Sequence, residues 1–546
     1  MAKMYFPQYA RGRDGVDIRV GESILAHIRK IGGIEIDSEC GGRGVCGKDA
    51  VRIEQGSEFL SEPTQIEKEF LFEGKLPEGQ RLACQTRITQ NIEDIKVFIP
   101  DFGRYTILTD IVDTHTELDP CVCRKDNRVV YHTGEDQGPY LGRILGLAID
   151  VGTTTLVMQV VDLETGENVG KPMASKNPQI AYGNDVISRI GYARDHDKGL
   201  GELQASVIDA ANKSLAELEQ QYSFEKGHVT GHIYDIVAIG NSTMRSVFFG
   251  QNVHDLGVIP FEPISKAALT RSARSLGIKA HSLAMAYGPP LIGGHAGADC
   301  VADIIATRLY EGQEITMVID IGTNGEIAIG NREKILTASC AAGGAYEGYQ
   351  IGCGAGAIQG AVTEVRIRNG KAELKTLGNK APLGVCGSGV IDLLAEMLQN
   401  GIMNERARIK EDYYLTDTLC ISQDDINQLI MAKAGLRTDQ DLLIDYYGTE
   451  LDNVKHIYLA GAFGNFMNIE NAMAIGLLPN TDKTKFVRFG NGALAGARDM
   501  LVSRRRRQDA ESLCGIIRHT KPNEIEGQEF QYMVAQRMYF GSAGLA

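Results

Sequence analysis

The sequence predicts a multidomain chain of mixed α+β and α/β class, with a small β-rich unit first, then a polar connector and a duplicated α/β core. Three observations carry that expectation. The length of 546 residues exceeds what one hydrophobic core can organise. A strand–turn–strand pattern occurs twice, as Asp150-Val151-Gly152-Thr153-Thr154 and, 170 residues later, as Asp320-Ile321-Gly322-Thr323-Asn324. That separation is the size of an α/β domain, so the pattern reads as a duplicated fold. Near the N-terminus a glycine-rich loop, Cys40-Gly41-Gly42-Arg43-Gly44-Val45-Cys46-Gly47-Lys48-Asp49, is followed at a distance by Cys84.

Composition narrows the function classes. Apolar content of 43% and charged content of 23% are ordinary for a soluble globular protein. A net charge of −14 argues against non-specific binding to nucleic acid or to anionic membranes. The one basic run, Arg504 to Arg507, reads as a solvated helix end. No stretch approaches the roughly 20 apolar residues of a membrane span, and Met1-Ala2-Lys3-Met4-Tyr5 lacks the core of a signal peptide, so a cytoplasmic protein is expected. Eleven cysteines, an odd and scattered set, do not make a disulfide framework. Cys300, Cys340, Cys353, Cys386, Cys420 and Cys514 read as core or helix residues.

In chain order, residues 1–100 form the β-rich unit. Strand-like stretches at 5–9, 16–20, 50–53 and 95–100 and a helix over 23–31 surround the cysteine loop. Glycines suit such a loop because it must wrap a metal cluster and aim backbone amides at it. Residues 101–143 are polar, punctuated by Asp119-Pro120 and Gly138-Pro139, and read as a linker domain with a few strands. Cys121 and Cys123, two apart on a strand, are expected to share a face and to be structural.

Residues 144–313 form the first half of the core and residues 314–546 the second. Asp150 ends a buried strand, where its carboxylate can hold a hydrated magnesium ion; Gly152, Thr153 and Thr154 offer close backbone approach and donors to phosphate. Asp185 opens a helix near the positive end of its dipole, either as a cap or as a further polar group at a nucleotide. An amphipathic helix over 203–220 precedes a strand, 233–239, that ends in Gly240-Asn241-Ser242-Thr243. In the second half Asp320, Gly322, Thr323 and Asn324 repeat the turn, with Glu326 just beyond it. A late strand ends in Gly461-Ala462-Phe463-Gly464.

The two Asp-x-Gly-Thr turns, the Gly-Asn-Ser-Thr turn and the late glycine turn together resemble the nucleotide-binding core of acetate and sugar kinases, actin and the heat-shock chaperone ATPases. That resemblance implies two ribonuclease-H-like halves closing over ATP and Mg2+. Asp150 and Asp320 are then catalytic, Gly152, Thr153, Thr154, Gly322, Thr323 and Asn324 clamp phosphates, Asp185 adds a polar group, and Gly461, Ala462 and Gly464 border the base or ribose. The N-terminal loop resembles the plant-type 2Fe-2S ferredoxin pattern C-x5-C-x2-C with a remote fourth cysteine, which implies a β-grasp ferredoxin-like domain. The third ligand position of that pattern holds Asp49, so Cys40, Cys46, Asp49 and Cys84 form the implied ligand set. The combination of both parts resembles the reductive activators of corrinoid-dependent enzymes.

Membership of that family implies ATP-dependent delivery of an electron from the cluster to the inactive Co(II) corrinoid of a methyltransferase partner, restoring Co(I). It also implies an external low-potential electron donor, with no nucleic acid or membrane partner; a homodimer stays open. Two other readings fit the motifs: a small-molecule kinase with a sensory iron–sulfur domain, and a non-enzymatic ATP-gated scaffold.

Overall fold

A computed structural model describes residues 2–6, 15–31, 36, 38, 42–45, 47, 49–72, 76, 79–99, 114–222, 228–294, 296–322, 324–340, 344–347, 351–417, 419–461 and 464–540. The N-terminal unit is a five-stranded sheet in the order Val16–Asp17, Lys3–Tyr5, Ile95–Phe98, Ala50–Gln55, Gln80–Leu82. Its first and last strands in sequence lie side by side and parallel, with Met4 opposite Ile95. Helix Ile24–Ile31 packs Ile24, Leu25 and Ile28 against that sheet, as its apolar spacing requires. Of the strand expected over 5–9, Tyr5 ends the strand Lys3–Tyr5, and residues 7–14 lie outside the described residues.

In the stretch expected as a linker, the described residues 114–143 carry a three-stranded sheet, Val122–Lys125, Arg128–Tyr131 and Asp136–Pro139. Cys121 is buried and Cys123 exposed, which corrects the expectation of a shared face: Cys121 precedes the strand and sits within reach of Arg507 and Asp235, while Cys123 lies on the open side of the sheet.

The duplication is visible in strand order. The first half runs Asn168–Lys176, Thr155–Asp162, Leu145–Val151, Ile233–Ile239, Met285–Gly288, with Leu269–Ser272 added at the edge. The second runs Ile335–Cys340, Gly325–Gly330, Ile315–Ile321, Val454–Ala460, Phe486–Gly490, with Ile517–His519 added beyond Ile335–Cys340. Each half is an antiparallel three-strand meander joined to two parallel strands. In each, the aspartate turn closes the first hairpin, with Val151 opposite Leu156 and Ile321 opposite Gly325.

Helices Ala298–Thr307 and Gly492–Val502 join the halves in one apolar cluster that includes Val301, Ile305, Leu494 and Leu501. They cross so closely that a Cβ on Gly496 would come within 2.0 Å of the Ala302 carbonyl oxygen. Glycine is therefore demanded there by backbone contact.

The basic run is not a solvated helix end. It opens helix Arg504–Leu513, where positive charge opposes the helix dipole, and three of the four side chains are held by partners. Arg504 pairs with Asp119, Arg506 with Glu311 and Asp509, and the buried Arg507 with Asp235 at 2.6 Å. No helix among the described residues is long and apolar enough to cross a membrane.

Candidate functional site

A cleft of about 550 Å³ opens between the halves, lined by Asp150, Gly152, Thr153, Thr154, Asp320, Gly322, Asn324 and Gly461. Both aspartates end central strands, so the paired sheets aim them at one space. The first turn is held from behind: Asn241 Nδ2 donates to Thr153 Oγ1 at 3.0 Å, and Asn177 Nδ2 to the Gly152 carbonyl at 2.7 Å. Across the cleft, Asn491 Nδ2 donates to Asp150 Oδ2 at 2.9 Å, tying the second half to the first turn.

Carboxylates crowd the floor. Burial pushes Asp150 up to about 7, opposed by the Asn491 hydrogen bond. Asp299 rises to about 7, again chiefly through burial. Asp303 and Glu326 lie well above the ordinary range because burial is reinforced by neighbouring negative charges, Asp320 among them. Asp303 Oδ1 and both carboxylate oxygens of Glu326 are buried without a hydrogen-bond partner among the described residues. Such a hard-oxygen floor fits Mg2+, which neutralises the charges and lowers their proton affinity. No three of the described acidic, histidine or cysteine side chains alone form a closed metal cage. That suits an ion held by one or two carboxylates together with phosphates and water.

The far end of the cleft is lined by Thr363, Lys375, Leu377, Gly378, Cys386 and Ser388, so it extends toward the helix Gly387–Gln399. Beside Asp320, Gly461 has φ +85°, and a Cβ there would lie 2.5 Å from Asp320 Oδ1. The backbone therefore comes as near the aspartate as glycine allows.

In the N-terminal domain Asp49 is fully buried, and its Oδ2 accepts the Cys84 N–H at 2.7 Å. The two implied ligands thus come together although 35 residues separate them. A buried carboxylate beside a buried cysteine fits a cluster edge with one oxygen ligand.

Three family models match in succession: a 2Fe-2S iron-sulfur cluster binding domain over residues 11–89, the RACo middle region over 145–312, and the C-terminal domain of RACo, the ASKHA domain, over 314–544. The chain belongs to the RACo family. One relative is the corrinoid activation enzyme RamQ of Eubacterium limosum, 28% identical over 92% of this chain and 95% of its own. Another is the [Co(II) methylated amine-specific corrinoid protein] reductase of Methanosarcina barkeri, 27% identical over 67% of this chain and 71% of its own. The solved structure of a reductive activator for corrinoid, iron-sulfur protein is 26% identical with a TM-score of 0.71, covering 99% of this chain and 98% of that one.

For this RACo-family chain, the structure sorts the residues expected at the site. Asp150, Gly152, Thr153, Thr154, Asp320, Gly322, Asn324 and Gly461 meet at the cleft, whereas Thr323, Ala462, Cys40 and Cys46 lie outside the described residues. Asp185 does not line the cleft. It is exposed and forms a capping box with Ser188 at the start of helix Val186–Asp195, so capping wins over nucleotide contact. Gly464 does not line the cleft either; its N–H turns back to the Gly461 carbonyl at 3.1 Å.

Sequence reasoning missed Asp299, Asp303 and Asn491. A local signal for Asn491 was available: Gly490-Asn491 ends a strand and caps the following helix as Gly240-Asn241 does, Asn241 accepting from the Met244 N–H and Asn491 from the Leu494 N–H.

Proposed function

We propose that this chain is an ATP-dependent reductive activator that transfers one electron to the Co(II) corrinoid of a methyltransferase partner protein and restores Co(I). What supports the reading is the joining, in one chain, of an iron–sulfur domain that brings Asp49 to Cys84 and a two-half ATPase cleft floored by carboxylates. In this reading residues 1–100 carry the electron, 101–143 link, and 144–313 and 314–546 enclose the nucleotide.

A 2Fe-2S cluster held in this domain would supply one-electron chemistry, giving up the electron that the corrinoid takes and regaining it from an external low-potential donor. Cys40, Cys46, Asp49 and Cys84 would be its ligands, and the Cys84 N–H donated to Asp49 Oδ2 holds those two residues together. In the cleft, Thr153, Thr154 and Asn324 bind phosphate oxygens while Asp150 and Asp320 hold Mg2+.

ATP is needed because the transfer is uphill. Plant-type clusters lie near roughly −400 mV, and each ~59 mV of shortfall costs a factor of ten for one electron. ATP offsets that deficit as the two halves, joined through the Ala298–Thr307 and Gly492–Val502 helix pair, close on it. The closed chain would present a different docking face to the corrinoid partner.

The test is an anoxic mixture of this protein, a Co(II) corrinoid protein and an excess of a low-potential reductant, followed at the Co(I) absorbance. Co(I) is expected with Mg-ATP and not with ADP. Equal reduction with and without ATP refutes the proposal.

A further inference from the structure

Segment 177–192 touches both cofactor sites. On its cleft side the Asn177 N–H donates to the Thr154 carbonyl at 2.8 Å. Arg189, fully buried, donates from Nη2 to the Thr153 carbonyl at 2.5 Å, from Nε to the Gly183 carbonyl at 2.8 Å and from Nη1 to Gln179 Oε1 at 3.1 Å. Two of these partners are main-chain carbonyls and the third a side-chain amide, none of them charged, so Arg189 works as a geometric clamp between the turn at 152–154 and the loop at 179–183.

On its other side the same segment meets the iron–sulfur domain. Arg29, on helix Ile24–Ile31, donates to the Ala181 carbonyl through Nε at 3.0 Å and also through Nη2. Its guanidinium lies over the rings of Tyr182 and Tyr192, 5.0 and 5.3 Å from their centroids. Around this contact the apolar cores merge: Leu25, Ile28 and Cys84 share one cluster with Ala181, Tyr182, Ile190 and Leu203. Arg29 also borders the cysteine loop, its Nη2 lying 3.9 Å from where a Cβ on Gly42 would stand. A single helix, Val186–Asp195, carries Arg189 and Tyr192, and so touches the phosphate turn at one point and Arg29 at another.

We propose that Arg29 is a positioning residue that couples the two sites: it holds the iron–sulfur domain on segment 177–192, and Arg189 and Asn177 transmit the state of the Thr153 turn to that contact. The inference rests on the reading of that turn as the ATP phosphate loop. Linkage is reciprocal: if nucleotide alters the Arg29 contact, loss of the contact alters nucleotide affinity by the same factor. A lysine cannot reproduce the contact, because only the planar guanidinium can direct two nitrogens at one carbonyl while stacking on two rings.

The test uses the full chain with its cluster, kept anoxic, with Mg2+ and a non-hydrolysable ATP analogue, read by hydrogen-exchange mass spectrometry. Analogue binding is expected to protect 150–155 and to change exchange across 24–31 at least about threefold. Arg29→Ala and Arg29→Lys are each expected to abolish the change at 24–31 and to shift the analogue's Kd at least about threefold. Protection at 150–155 with exchange at 24–31 unaltered overturns the coupling, as does an equal Kd in wild type and both variants. Where a variant loses its iron, the wild-type exchange pattern decides alone. Absence of protection at 150–155 removes the ATP reading itself, and the inference with it, so the two failures are distinguishable.

Discussion

Replacing Gly461 by alanine tests whether the late glycine turn shapes the nucleotide cleft. The added methyl would stand 2.5 Å from Asp320 Oδ1 and 2.9 Å from the Ile321 carbonyl oxygen, both closer than real contacts allow, at a φ of +85°. The backbone conformation costs alanine about 1–2 kcal/mol. Clearing the two oxygens costs about 1–3 kcal/mol more and displaces the carboxylate that faces the cleft. Gly461→Ala is therefore expected to weaken binding of a fluorescent ATP analogue at least about tenfold, the equivalent of ~1.4 kcal/mol. The remaining strain should appear as a lower midpoint in urea unfolding. Gly435→Ala is the control. It lies inside helix Gln423–Tyr447 with open space where its Cβ would go, and should gain ~1 kcal/mol with nucleotide affinity unaltered. A Gly461→Ala protein with wild-type affinity and stability would refute the close-approach argument.

Two further predictions concern other parts of the chain. With Asp49 as a cluster ligand, Asp49→Ala should lower iron content and alter both the visible spectrum and the EPR signal of the reduced protein, and Asp49→Cys should give an all-thiolate spectrum; an unchanged Asp49→Ala spectrum rejects oxygen ligation. Lys433 is buried, its Nζ 3.1 Å from the Tyr539 carbonyl and over the Phe540 ring, and burial lowers its pKa from 10.5 to about 7. The unfolded chain thus takes up this proton first as pH falls, so stability declines from about pH 10.5 toward 7 and levels off below. Lys433→Met should remove that slope and gain about 1–3 kcal/mol at pH 7 by urea unfolding, and an unchanged slope refutes it.

Residues carried by local pattern were legible in the sequence. Asp150 and Asp320 each end an apolar run at a glycine turn, and the hairpin that positions them is formed by their own neighbours. Asp299 joins the floor, with Asp303 buried behind it, only because helix Ala298–Thr307 packs on Gly492–Val502, a pairing across almost 200 residues that no local pattern announces. Asp185 was ambiguous for a physical reason: an acidic residue opening a helix looks the same whether it caps its own amides or faces a ligand. Arg189 and Arg29 were hidden more thoroughly. Their partners are mainly main-chain carbonyls, which every residue possesses and which leave no trace in residue identity. The basic run misled because its counter-charges, Asp119, Asp235 and Glu311, come from distant parts of the chain.

The merged apolar cluster around Leu25, Tyr182 and Leu203 changes how this protein can be taken apart. A ferredoxin domain is usually treated as a detachable cartridge, to be expressed alone for measuring its potential. Here the cut at residue 100 would leave Leu25, Ile28 and Cys84 without the wall formed by Ala181, Tyr182, Ile190 and Leu203. Water would then reach a face that is dry in the whole chain, and both the isolated domain's oxygen lifetime and its potential would differ from those of the intact molecule. The redox properties of this protein thus belong to the assembled chain rather than to its first hundred residues.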